Sequence, residues 1–125
     1  MAFRVLMVDD DADLLAMFRE ALESDGFCVE TCATVQNATL ALQRGGFDAV
    51  VTDLGLERTG GLAFCEQLAT SPSAPPVIVM TGYAEARAAA LRLGARSVLI
   101  KPVSIDELKR ELRSSANEES RRFLR

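Results

Sequence analysis

The sequence predicts an α/β domain built on one parallel sheet of five strands, with five helices covering both faces. Three observations carry this. Short β-branched runs alternate with amphipathic helical patterns along the whole chain, the pattern of a helix-covered parallel sheet. The central runs at residues 48–54 and 77–81 show no helical period and read as strands buried on both faces. At 125 residues the chain is one ordinary domain with room for a single core.

Residues 3–8 form the first strand and run into the acidic cluster Asp9, Asp10, Asp11 and Asp13. Leu14, Leu15, Phe18 and Leu22 then recur at helical spacing until Gly26, a helix stop. Residues 27–32 alternate as a second strand, and Ala38, Leu40, Ala41 and Leu42 mark a second helix ending at Gly45 and Gly46. The third strand ends on Asp53. A polar, glycine-containing loop over residues 55–61 leads into a helix carrying Leu62, Phe64, Cys65 and Leu68. Pro72, Pro75 and Pro76 break the chain before the fourth strand.

Residues 84–93 are alanine-rich and helical, Gly94 closes that helix, and residues 97–100 are the fifth strand. Ser104 caps the last helix, with Glu107 completing a capping box. The expected domain covers residues 1–116, with 117–125 a polar tail or the start of a linker. Crossovers between successive parallel strands are right-handed, and no repeat at solenoid periods is present.

Composition narrows the chemistry. Hydrophobic content of 49% and charged content of 26% are those of a globular protein. The formal charge of −4 conceals an acidic body and a mildly basic end. No basic stripe with interleaved aromatics marks a nucleic-acid surface, no run is long and apolar enough for a bilayer, and the start lacks a signal-peptide pattern, so a cytoplasmic location is expected. Three cysteines without a secretion signal are expected to be reduced thiols used in packing. The chain has no histidine, which removes the commonest transition-metal ligand and general base. Carboxylates, hydroxyls, lysine or a hard cation must carry any reaction.

Four strands end on polar groups at one edge: Asp9 and Asp10 after the first, Asp53 on the third, Thr81 on the fourth, Lys101 after the fifth. In a parallel sheet the C-terminal ends point the same way, so these groups converge in one crevice. Singly, each has a plainer explanation: a helix cap for the acids, a solvated charge for Lys101, a β-branched strand residue for Thr81. Together, two or three carboxylates without soft ligands suit Mg²⁺, or Mn²⁺, and leave coordination positions for phosphate oxygens. Lysine and threonine can contact those oxygens, and an aspartate can attack phosphorus to become an aspartyl phosphate. The constellation reads as a phosphorylation site.

The motifs Val8-Asp9-Asp10-Asp11, Thr52-Asp53-Leu54, Met80-Thr81-Gly82 and Ile100-Lys101-Pro102, in this order and on these elements, resemble the receiver domains of bacterial two-component response regulators. The resemblance covers about residues 4–116. It implies a flavodoxin-like three-layer α/β/α fold with strand order 2-1-3-4-5. It also implies phosphotransfer to Asp53 from a sensor histidine kinase, a histidine phosphotransfer protein or a small phosphodonor, the domain assisting its own phosphorylation and dephosphorylation without being an enzyme. Mg²⁺ is then held by Asp10, Asp53 and the backbone carbonyl of Gly55, with Asp9 assisting. Thr81, Gly82 and Lys101 serve phosphate binding and switching, a cis bond before Pro102 aims Lys101 inward, and Gly55 and Tyr83 occupy positions that tune access of water. An output domain or effector protein is the implied partner, and a homodimer through helix 4, strand 5 and helix 5 is within the family's repertoire.

Two departures from the family pattern stand out. Position 98, where many receivers have an aromatic that rotates on activation, is Val98, and the loop after Asp53 has Glu57 where proline is usual. The rival reading is therefore a receiver-like interaction module with weak or lost switching. A haloacid-dehalogenase-type phosphatase would carry its nucleophile on strand one in a motif this chain lacks, and the acids after strand one would repel a flavin phosphate.

Overall fold

In the computed structural model, which describes residues 2–54 and 61–123 with side chains as far as residue 116, strands and helices alternate as the sequence indicates. The strands are β1 Arg4–Val8, β2 Cys28–Cys32, β3 Ala49–Asp53, β4 Val77–Thr81 and β5 Ser97–Ile100. The helices are α1 Ala12–Glu23, α2 Val35–Arg44, α3 Gly61–Ala69, α4 Arg87–Arg92 and α5 Ile105–Phe123. All pairings are parallel, in the order β2-β1-β3-β4-β5. Val5 lies beside Val29 and Ala49, Val51 beside Ile78, and Met80 beside Leu99.

The two-residue period of a strand divides the core into two layers. Leu6, Val8, Val50, Val77, Val79 and Val98 face α2, α3 and α4 through Ala38, Ala41, Phe64, Cys65, Leu68 and Ala90. Val5, Met7, Val51, Ile78 and Met80 face α1 and α5 through Leu15, Phe18, Leu22, Leu108 and Leu112. Every residue of β3 and β4 is buried, which accounts for the apolar runs that precede Thr52 and Thr81.

Helix starts are fixed by side-chain oxygens. Asp11 caps α1 by accepting from the N–H groups of Asp13 and Leu14, and Thr34 caps α2 by accepting from Asn37 at 3.1 Å. The capping box at α5 is present: Ser104 Oγ accepts from the Glu107 N–H at 3.1 Å, and Glu107 Oε2 accepts from the Ser104 N–H at 3.0 Å.

Two expectations need correction. The helical segment before β5 opens as a 3-10 turn, Ala84–Ala86, and only then becomes the short α4. Cys28, on the edge strand, is exposed, whereas Cys65 is buried and Cys32 partly so. Leu40 and Leu62, which mark their helices, are exposed, because the 3.6-residue period turns Ala38, Ala41, Phe64 and Cys65 to the sheet instead. The last helix, α5, continues to Phe123.

Candidate functional site

The ends of β1, β3, β4 and β5 bring the polar residues together at one edge. Asp9 follows β1 directly and is held there by its N–H, which donates to the Cys32 carbonyl at 3.1 Å. Its carboxylate is almost fully buried: Oδ1 accepts from the Asp11 N–H at 2.9 Å, and Oδ2 lies 3.1 Å from Lys101 Nζ. Asp53, the last residue of β3, is also buried and lies 3.0 Å from the same ammonium through its Oδ2. One carboxylate oxygen from each of Asp9, Asp10 and Asp53 falls in a group within 4.8 Å of one another, Asp10 being the exposed member.

Lys101 reaches this position from the end of β5. Its N–H donates to the Thr81 carbonyl at 2.7 Å, and the Lys101–Pro102 bond is cis. Thr81 is fully buried, and its Oγ1 accepts from the Tyr83 N–H at 3.1 Å. Tyr83 itself is 58% exposed. A Cβ built on Gly82 meets no atom within 4 Å, so the room expected of this glycine is not a packing requirement in the described conformation. Val98 is buried among the residues facing α4. Gly55, expected as a backbone ligand and access residue, lies outside the described residues, as does Glu57.

Among the described residues, three carboxylates gather beside one ammonium. Burial pushes the Asp9 carboxyl above its ordinary range; the Asp11 N–H and Lys101 pull it down, and the negative charge of Asp53 pushes it up again. Burial alone would lower the Lys101 ammonium, but its hydrogen bonds to Asp53 and Asp9, with their charges, outweigh that and raise it. Burial comes first among the causes of the raised Asp9 carboxyl, ahead of the charge of Asp53. The donor set is oxygen only, and its excess negative charge fits a hard divalent cation held by few carboxylates plus water and phosphate oxygens.

Two backbone features beside the site were not read from the sequence. Tyr83, read only as an access residue, donates its backbone N–H to the Thr81 hydroxyl. Gly61, read as loop, starts α3 against the end of β3, where an added Cβ would lie 3.2 Å from the Asp53 carbonyl oxygen. Backbone hydrogen bonds and close approaches between elements leave no mark in residue type, apart from the glycine itself.

The chain is similar to known proteins in sequence and in fold. The response regulator receiver domain family matches residues 5–113. The transcriptional regulatory protein TcrA of Mycobacterium tuberculosis is 35% identical over 113 residues, covering 89% of this chain and 45% of that protein. The alginate biosynthesis transcriptional regulatory protein AlgB of Pseudomonas aeruginosa is 34% identical over 108 residues, covering 85% of this chain and 24% of that protein. The chain thus spans less than half the length of these curated relatives. A receiver domain from Methylobacillus flagellatus superposes with a TM-score of 0.82 at 28% identity, covering 92% of this chain and 99% of that one. With the strand order, the two-faced helix cover and the carboxylate edge described above, this match means that the chain belongs to the response regulator receiver domain family.

Proposed function

We propose that Asp53 accepts a phosphoryl group from a sensor histidine kinase, a histidine phosphotransfer protein or a small phosphodonor, and that the resulting aspartyl phosphate switches a protein-interaction surface. The observation that carries this reading is the convergence of Asp9, Asp10 and Asp53 with Lys101 bridging Asp9 and Asp53 at 3.1 and 3.0 Å. A carboxylate oxygen of Asp53 attacks phosphorus, the new P–O bond forms, and the P–N bond of a phosphohistidine breaks with its electron pair returning to the ring nitrogen. Lys101 moves from bridging two carboxylates to balancing the incoming phosphoryl oxygens, and the Thr81 hydroxyl, with Gly82 beside it, donates to one of them.

Asp9, Asp10 and Asp53, with the Gly55 carbonyl as a further ligand, would hold Mg²⁺ or Mn²⁺. The cation supplies neutralisation of the charge gathered between the acids and the phosphoryl oxygens. Removal of the phosphoryl group by water follows at the same centre, with Gly55 and Tyr83 setting access. The relatives are transcriptional regulators, so control of an output domain or effector protein, in the cytoplasm, is the corresponding role of residues 1–116. A homodimer through α4, β5 and α5 is one form the switched surface can take. A second reading, an interaction module with weak switching, is favoured by one observation: Val98 is already buried, so position 98 has no inward movement left to make.

The test is chemical mapping. After incubation with Mg²⁺ and acetyl phosphate, borohydride reduction converts an aspartyl phosphate to homoserine, and peptide sequencing should find homoserine at position 53. Homoserine at another aspartate, or none in a sample that carries a phosphoryl group, would overturn the assignment.

A further inference from the structure

Among the described residues, β2 stands at one edge of the sheet and pairs with β1 alone. Its backbone groups alternate in direction. The Cys28 N–H donates to the Phe3 carbonyl at 2.9 Å, and the Cys32 carbonyl accepts from the Asp9 N–H at 3.1 Å, so Cys28, Glu30 and Cys32 turn their backbone toward β1. The N–H and C=O groups of Val29 and Thr31 therefore face outward, where a further strand would pair. Two hollows border this edge. One of 710 Å³ includes Thr31, Cys32, Leu40 and Arg44, and one of 210 Å³ includes Arg19, Val29 and Thr31, so neither α2 nor α1 closes over the edge.

We propose that β2 pairs with β2 of a second copy of this chain, antiparallel and centred on Glu30, joining two five-stranded sheets into one. This surface is separate from Asp53 and from the face of α4, β5 and α5. Three features select a second copy as the occupant. With Glu30 at the centre, Val29 falls opposite the second copy's Thr31, and the outward groups of the two meet as a hydrogen-bonded pair. Glu30 falls opposite its own equivalent, and two bare carboxylates there would repel. Each Glu30 Oε2, however, accepts from Arg44 at 2.7 Å, so two neutral pairs meet at the axis and their charges can alternate. Leu40, 60% exposed, lies one turn before Arg44 on α2 and borders the same hollow; the twofold axis gives this apolar side chain an equivalent to face.

The same centre places Cys28 opposite the second copy's Cys32. The pair falls at a position without exchanged hydrogen bonds, where Cα atoms lie about 4.5 Å apart, within the reach of a disulfide. Within one chain the two cysteines are four residues apart on β2, about 13 Å at the usual rise, too far to be joined. A bond between Cys28 and Cys32 is therefore a mark of this pairing and of no arrangement inside one molecule.

The test combines mass and linkage on the unphosphorylated chain. By sedimentation equilibrium in reducing buffer, the average mass of the wild type should rise with concentration toward that of two chains. Arg44→Glu leaves like charges at the axis and should weaken association by about tenfold or more, and the exchanged pair Glu30→Arg with Arg44→Glu should restore it, which a merely misfolded variant could not do. Diamide, which takes two hydrogens from each pair of thiols as the S–S bond forms, should then link wild-type dimers through Cys28 and Cys32 on peptide mapping. Exposure alone would instead favour Cys28 joined to Cys28. A wild type that stays monomeric, a dimer insensitive to Arg44→Glu, or dimers linked chiefly through Cys28 to Cys28 would overturn the pairing of β2; none of these outcomes bears on Asp53 as phosphoacceptor.

Discussion

Asp9 carries the electrostatic cost of the site. It is buried, faces the negative Asp53, and is only partly offset by Lys101 and the Asp11 N–H, so its folded carboxyl sits above the ordinary 3.8. A carboxyl raised on folding binds its proton more tightly in the folded state, so its contribution to stability is fully present below 3.8 and is lost as pH rises through the folded value. Asp9→Asn is neutral at every pH and keeps an oxygen for the Asp11 N–H. Denaturant unfolding without divalent cations should therefore show the stability gap moving in favour of Asp9→Asn as pH rises from about 4 to 7. A gap that stays constant, or moves toward the wild type, would show that burial of this charge is not the source of the shift. The type and strand-end position of Asp9, Asp53, Thr81 and Lys101 were legible in the sequence because chemistry follows residue identity. The bond from Tyr83 to Thr81 was not, because a backbone donor is the same in every residue but proline.

At the scale of elements, helix ends decide how the strands reach the site. Gly94 ends the α4 segment at φ +104°, and a Cβ there would fall 2.4 Å from the Ala69 Cβ at the end of α3. Gly26 has a similar φ of +93° after α1 with open space around it. Gly94→Ala should lower stability by about 1–3 kcal/mol in denaturant unfolding, and Gly26→Ala by less, since only the first adds a clash to the strained backbone. Equal losses would mean that contact with Ala69 contributes nothing. The glycines at 26, 45 and 94 were readable as helix stops, and the Ser104–Glu107 box was readable from its spacing, because caps are local. The 3-10 turn before α4 was not, since alanine favours any helical turn and tertiary contacts choose among them.

At the scale of the whole molecule, the parallel sheet brings Asp9, Asp10, Asp53, Thr81 and Lys101 to one edge, and the fold class followed from strict alternation of strand and helix. The length of α5 was not legible: residues 117–125 read as a polar tail or the start of a linker, and the helix runs to Phe123. Polar residues in an amphipathic helix and in a coil differ only in what lies beneath them. Like charges gathered at one edge favour a cation there, so on the proposed reading Mg²⁺ should stabilise the folded molecule. At ten times its dissociation constant, bound Mg²⁺ should add about 1.4 kcal/mol to unfolding stability, and Asp10→Asn should lose most of that gain. Equal stabilisation of wild type and Asp10→Asn would place the cation elsewhere.

The identity of the phosphoacceptor is tested most directly by intact mass. Wild type, Asp53→Asn and wild type with excess chelator are each incubated with acetyl phosphate in Mg²⁺ buffer beside a control receiver. Wild type should gain one phosphoryl group, Asp53→Asn should gain none, and chelation should suppress the gain. No gain in wild type while the control is labelled, or an equal gain in Asp53→Asn, would contradict Asp53 as the residue that receives the signal.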